Sequence, residues 1–165
     1  MLALNYQIKE MIDSDWDQVK TIYLEGIATG HATFETDAPS WKSWNESHSK
    51  TCRLVAKDGN KTLGWAALSP VSGRRVYAGV ADVSIYISQS YKGQGIGTAL
   101  LRSMIELSEK EGFWTLQSGI FPENTSSIIL HNKAGFREVG IRERLGKMNG
   151  VWRDVVLLER RNGIL

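Results

Sequence analysis

One cysteine, Cys52, stands in 165 residues. That excludes an internal disulfide and any cysteine-based metal cluster. With no base beside it in sequence, Cys52 is expected to be a plain packed thiol. Histidine is almost as scarce: His31, His48 and His131 show no metal-ligand spacing, so no metal site is expected. Excess charge of either sign is missing too. Twenty basic residues against 18 acidic leave a net charge of +2, too balanced to argue for a nucleic-acid or membrane surface. No apolar run approaches the roughly 18 residues of a membrane span. The start, MLALNYQIKEMIDSD, has neither a basic stretch nor a sustained apolar one, so a cytoplasmic location is expected.

What is present is an ordinary globular composition, 42% hydrophobic and 23% charged, of a length that suits one domain over residues 1–165. No repeat, low-complexity tract or linker interrupts it. Residues 6–9 alternate like a short strand. Ser14 and Asp17 have the spacing of a capping box, and Val19, Ile22, Tyr23 and Ile27 then recur at helical spacing, with Gly26 or Gly30 able to end the helix. Pro39 opens a short helix with Trp41 and Trp44 on one face. Strands at 53–57 and 63–68 flank Asp58-Gly59-Asn60, a hairpin turn. A loop at 72–75 precedes a strand at 80–87. After it comes a helix with Ile96, Leu100, Leu101, Met104, Ile105 and Ser108 on one face, stopped by Gly112. A strand at 115–120, a helix at 125–134 and a hairpin of 141–147 with 151–159 around Asn149-Gly150 complete the chain. The order β α α β β β α β α β β is an α/β class of mixed α+β type, a mixed sheet flanked by helices.

The most informative stretch is residues 91–100, YKGQGIGTAL, between a strand and an amphipathic helix. Gly93, Gly95 and Gly97 alternate, so little side-chain bulk hides the backbone N–H groups. A helix starting there directs unpaired donors and the positive end of its dipole at whatever lies in front, an anion site suited to a diphosphate. It is not a dinucleotide fingerprint, because the glycine spacing is wrong and Glu109 and Glu111 end a helix instead of a second strand. It is not a P-loop either, since no Gly-Lys-Ser/Thr follows.

Lys92-Gly93-Gln94-Gly95-Ile96-Gly97 resembles the Arg/Gln-x-x-Gly-x-Gly/Ala motif of the GCN5-related N-acetyltransferase (GNAT) superfamily, with lysine at the first position. Asn124, followed by Leu130-His131-Asn132-Lys133-Ala134-Gly135-Phe136, resembles its second motif. The segments 30–36, 82–87 and 150–154, with Trp44, are similar to the phosphinothricin acetyltransferase subfamily, which includes acetyltransferases of methionine sulfoximine and methionine sulfone. The likeness runs from about residue 5 to 160. It implies a central mixed, mostly antiparallel twisted sheet flanked by about four helices, acetyl-CoA as cosubstrate, a small-molecule amine as acceptor, and a homodimer. It also implies that the backbone of Ile85, Tyr86 and Ile87 holds the pantetheine arm, that Gly93 to Thr98 holds the diphosphate, and that Asn124 bonds the cosubstrate.

Acetyl transfer to an amine sets its own demands. An aliphatic amine is mostly protonated at pH 7, so some group must accept its proton. The developing oxyanion needs a donor, which a splayed strand's N–H can supply. Asp82 is the first candidate base, lying in an apolar strand with Ser84 and Tyr86 on its face; it is otherwise a carboxylate tied into a structural bond. The subfamily usually has glutamate there, and the shorter aspartate favours a relaying water. Glu35 is the rival base. His131 stands where many superfamily members have a tyrosine that protonates the leaving thiolate, and is either that acid or a space-filling helix residue. Arg74, Arg75 and Tyr77 could border the substrate mouth and hold a carboxylate or phosphinate. Phe34, Trp44 and Trp152 could wall an aliphatic stem or belong to the core. Lys92, Lys133 and Arg137 could meet phosphates. Acetylation of a small amino-acid-like amine by direct transfer is the leading expectation, since no cysteine is placed for an acyl-enzyme. Acetylation of a peptide or protein amine, and a non-catalytic acyl-CoA sensor, are the alternatives.

Overall fold

A computed structural model describes residues 4–163. Its chain order is β1 (Gln7–Glu10), α1 (Trp16–Ala28), α2 (Trp41–Ser47), β2 (Arg53–Asp58), β3 (Lys61–Pro70), β4 (Val80–Ile87), α3 (Ile96–Lys110), β5 (Thr115–Ile120), α4 (Thr125–Lys133), β6 (Arg137–Met148) and β7 (Val151–Arg161). The strands form one seven-stranded sheet in the order β1-β2-β3-β4-β5-β7-β6. Every neighbouring pair is antiparallel except β4 with β5. Among the described residues no helix is long and apolar enough to cross a membrane.

Each face of the sheet buries a separate apolar cluster. On one side α3 packs Leu100, Leu101 and Met104, all at zero exposure, against Leu63, Leu68 and Leu158. Truncating one such side chain typically costs about 2–5 kcal/mol. On the other, α1 and α2 bring Val19, Ile22 and Trp44 onto Trp65. The α1 start differs from expectation. Ser14 lies in a 3₁₀ turn, and Asp15, not Ser14, makes the local bond: its Oδ2 accepts from the Ile12 N–H at 2.9 Å while its Oδ1 meets Lys57 Nζ at 2.7 Å. A buried carboxylate with two donors outcompetes a hydroxyl at the surface. Gly26 does not end α1. It lies inside the helix, and the position needs glycine because a Cβ there would come within 2.6 Å of the Tyr86 ring. The α2 N-terminus is capped by Ser40, whose Oγ accepts from Ser43 N–H at 3.2 Å.

The β6–β7 hairpin is longer than the pattern predicts, beginning at Arg137 instead of residue 141. Asn149 (φ 51°) and Gly150 (φ 79°) both take left-handed conformations, as a two-residue hairpin turn of the mirror-image type demands. Further in, Arg142 pairs with Val155 but Gly146 with Arg153, so β6 spends two more residues than β7 across the same span. This bulge places Arg144 at φ 48°, held where its N–H donates to Asp154 Oδ1 at 2.8 Å.

Candidate active site

The site begins where a ladder stops. β4 and β5 pair only from Val80–Thr115 through Asp82–Gln117, yet β4 runs on to Ile87 and β5 to Ile120. Beyond Asp82 the strands splay, and peptide groups on the facing edges lose their sheet partners. Two cavities occupy the wedge. One, of about 420 Å³, is lined by Phe34, Asp82, Ser84, Gln117, His131 and Arg142 among others. The second, of about 600 Å³, runs along Ile85, Tyr86 and Ile87 past Lys92, Gly93, Gly95, Ile96, Gly97 and Thr98 to Lys133. Ala32, Ile85, Tyr86, Asn124 and Ser127 line both, so the cavities meet at the open end of β4.

The larger cavity carries the anion features read from the sequence. Gly95 caps α3 in a left-handed conformation (φ 82°, ψ 3°), Gly93 has φ 77°, and no side chain caps the helix start. A Cβ at either glycine would project into open space. At Gly97 it would lie 3.3 Å from Leu130 Cδ2, so this glycine also lets α3 and α4 approach. The α3 N–H groups thus face the cavity unpartnered, with Lys92 and Lys133 at its rim. These residues fit a diphosphate. Gln94 is exposed and does not line the cavity.

In the smaller cavity Asp82 Oδ1 accepts from Gln117 Nε2 at 3.0 Å. Burial pushes the Asp82 carboxyl above its ordinary range, and the Gln117 bond partly opposes that. His131 is buried, with its ring edge-on to Phe136. Its Nδ1 lies 2.7 Å from the Ser127 carbonyl, an acceptor only, so Nδ1 carries the proton and donates. Nε2 is then a lone pair, and it is buried with no hydrogen-bond partner. Burial also lowers the ring's pKa, which keeps it neutral. An acid role for His131 therefore needs a proton taken up first. The Tyr86 phenol, wedged between Trp65 and Tyr23, is raised well above its ordinary value by burial and by the neighbouring Tyr23.

A clamp encloses the junction. Arg153 Nη1 donates to the Gly30 carbonyl at 3.0 Å, Nη2 to Glu123 Oε2 at 3.3 Å, and the same Nη2 lies 3.1 Å from His31 Nδ1. Its guanidinium sits 4.0 Å from the Phe121 ring centre, and Phe121 meets Phe34 edge-on. Asn124 caps α4, accepting from Ser127 N–H, and donates to the His31 carbonyl at 3.3 Å.

Several residues singled out from sequence lie elsewhere. Arg74, Arg75 and Tyr77 are exposed on a 3₁₀ turn and line neither cavity; Arg74 stacks on Tyr77, its guanidinium 5.4 Å from that ring. Glu35 is exposed and lines neither cavity. Trp44 is core, under the Arg53 guanidinium, whereas Trp152 is exposed outside the cavities. Arg137 pairs with Glu159 instead of a cavity. Conversely, Gln117, Arg142, Leu145 and Arg153 were not anticipated. Arg153 fell only within the segment 150–154 that resembles the subfamily; Gln117, in the mostly polar strand TLQSGI, and Arg142 and Leu145 had no signal. Among the described residues no group of three or more His, Cys, Asp or Glu gathers as a metal site would need.

The sequence model of the acetyltransferase (GNAT) family matches residues 10–136. The chain belongs to that family. This acetyltransferase is 30% identical to a phosphinothricin N-acetyltransferase of Alcaligenes faecalis, over 93% of this chain and 81% of the relative. It is 24% identical to an L-methionine sulfoximine/L-methionine sulfone acetyltransferase of Pseudomonas aeruginosa, over 94% of each chain. Among solved structures it superposes with a TM-score of 0.86 on a GNAT superfamily phosphinothricin acetyltransferase from Sinorhizobium meliloti in complex with acetyl-CoA. The two are 27% identical, covering 97% of this chain and 90% of that one.

Proposed function

We propose that this N-acetyltransferase uses acetyl-CoA to acetylate the amine of a small amino-acid-like acceptor, of the phosphinothricin, methionine sulfoximine or methionine sulfone type, by direct transfer between two bound substrates. The observation that carries the reading is the meeting of an anion-binding cavity and an acid–base cavity at the open end of β4. The named activities of the relatives and the acetyl-CoA of the S. meliloti structure support the chemistry.

Acetyl-CoA supplies the activated acetyl group. The protein's part is to bind, orient and move protons. The unpartnered α3 N–H groups and Lys92 hold the diphosphate, and the freed β4 peptide groups hold the pantetheine arm and meet the charge that develops on the carbonyl oxygen. Asp82, made more basic by burial, accepts the amine proton through a water. His131 borders the same cavity, and its buried Nε2 lone pair supplies a second acceptor and, once protonated, a donor for the departing thiolate. The N–C bond forms first and puts charge on the carbonyl oxygen, and its collapse breaks the C–S bond; one amine proton leaves through Asp82 and a second, through His131, reaches sulfur. Cys52 is fully buried and lines neither cavity, which supports direct transfer without an acyl-enzyme. We also propose a homodimer, joined through the exposed β6–β7 hairpin.

The test is CoA release from acetyl-CoA against methionine sulfoximine, methionine sulfone, phosphinothricin and several peptides. Stimulation by one of the first three, without peptides, supports the reading. Stimulation by peptides alone, or tight acetyl-CoA binding with no stimulated release, overturns it. An acetylated protein trapped in the absence of amine would overturn direct transfer.

A further inference from the structure

We infer that Arg142 is the residue that reads an oxyanion on the acceptor, so that the acceptor cavity selects amines bearing a carboxylate or phosphinate. This deepens the acetyl-transfer reading above and rests on it.

The argument starts from the β6 bulge. Residues three apart on an unbroken strand face opposite sides of a sheet. Arg142 and Leu145 are three apart, yet both line the cavity that holds Asp82. The two extra residues between the Arg142–Val155 and Gly146–Arg153 pairs undo the alternation. The bulge is a built feature: Asp154 pins it through the Arg144 N–H, and Gly146 seats it under Phe34, whose ring would lie 2.9 Å from any Cβ there. Arg142 is thereby aimed at the same space as Phe34.

Its charge is also uncommitted. Arg137, Arg153, Arg160 and Arg161 are in ion pairs, and Arg53 is held by carbonyls and Asn45. Among the described residues Arg142 has no such partner. It is the one lysine or arginine on the acceptor cavity, where His131 is held neutral and Asp82 is the one carboxylate. An acceptor amine beside Asp82 and an oxyanion beside Arg142 satisfy both charges. A guanidinium presents paired N–H donors that match a carboxylate or phosphinate, which a lysine would not.

The experiment measures CoA release by wild type, Arg142→Ala, Arg142→Lys and, as a control on the outer surface of α3, Arg102→Ala. Three acceptors separate the charges: methionine sulfone carries only a carboxylate, phosphinothricin carboxamide only a phosphinate, and methionine sulfone carboxamide neither. Arg142→Ala is expected to raise KM about 10-fold or more for an acceptor whose oxyanion is read, and to leave the neutral amide and acetyl-CoA unaffected. Arg142→Lys recovers part of the loss, and the loss shrinks at high salt. A penalty on methionine sulfone identifies the carboxylate, one on phosphinothricin carboxamide the phosphinate. Equal effects on all three acceptors, or a wild type that treats acid and amide alike, overturn the inference while leaving acetyl transfer standing. A wild type inactive with these three acceptors and also with methionine sulfoximine and intact phosphinothricin overturns both.

Discussion

Asp82 sits where fold and chemistry pull against each other. A half-buried carboxylate whose pKa is raised by desolvation is more stable protonated, so ionising it costs the folded state free energy. That cost is absent below the unfolded value of about 3.9 and complete above the raised folded value. Asp82→Asn removes it while keeping the acceptor atom for Gln117. The variant is therefore expected to melt slightly higher at pH 7 and to bind CoA normally. Turnover should fall about 10²-fold or more, with less loss at high pH, where free amine replaces the base. Normal rates at pH 7 would remove Asp82 from the mechanism. Buried His131 and half-buried His48 work in the opposite direction. His48, stacked on Trp44, and His131 both have pKa values lowered chiefly by burial. Above about pH 6.5 they are neutral folded or unfolded, and stability is intact. As pH falls below 6.5 the unfolded chain takes up protons that the folded rings refuse, and stability is lost until the lowered folded values are reached. Melting temperature should hold between pH 8 and 7 and decline toward pH 5. His48→Gln and His131→Gln should each flatten that decline, by at most about 1.4 kcal/mol per pH unit. An unchanged slope in both variants would refute the assignment.

Among elements, the legible ones are those whose periodicity is unbroken. Alternation along β4 assigned Asp82, Ser84 and Tyr86 to one face, and the 3.6-residue period of α3 identified Leu100, Leu101 and Met104 as core. The glycine loop was legible because left-handed backbone and open space need glycine in sequence as well as in space. What escaped was set by breaks in period or by tertiary contact. The β6 bulge hid Arg142 and Leu145; burial alone separates Trp44 from Trp152, and hydrophobicity ranks both alike. The two elements make separable predictions. Gly95→Glu forces a side chain into left-handed backbone and places a negative charge where a diphosphate must sit. CoA binding measured by calorimetry should be lost in a chain that remains folded; retained affinity would move the phosphate site elsewhere. Gly146→Ala instead pushes on Phe34 from beneath. KM for the acceptor should rise several-fold with KM for acetyl-CoA unchanged. A change in the acetyl-CoA constant alone would show that the bulge does not shape the acceptor cavity.

At the scale of the whole molecule, the sheet ends unequally. Its β1 edge is four residues long, short enough to be a poor template for pairing, whereas the β6 edge runs twelve residues and is almost wholly exposed. On that hairpin Val139, Ile141, Leu145, Val151 and Trp152 are 42–60% exposed, five of the eleven large exposed hydrophobics among the described residues. Scattered apolar side chains need no explanation, but Ile141 and Trp152 share one face of the hairpin at an open edge, the face of Val156, and form an apolar patch suited to burial. A second copy of the chain is the occupant the family resemblance implies, and a twofold axis would let the same patch cover itself. Leu145 lies on the opposite face, at the acceptor cavity, so pairing along this edge would also brace the bulge that carries Arg142. The solution mass at tens of micromolar is expected to be about twice the 18.4 kDa of one chain. Ile141→Glu with Trp152→Glu should yield folded monomers with a raised acceptor KM, because a buried charge at the centre of such a patch is strongly unfavourable. A wild type that sediments as a monomer would leave the hairpin as plain exposed surface and the acceptor cavity complete within one chain.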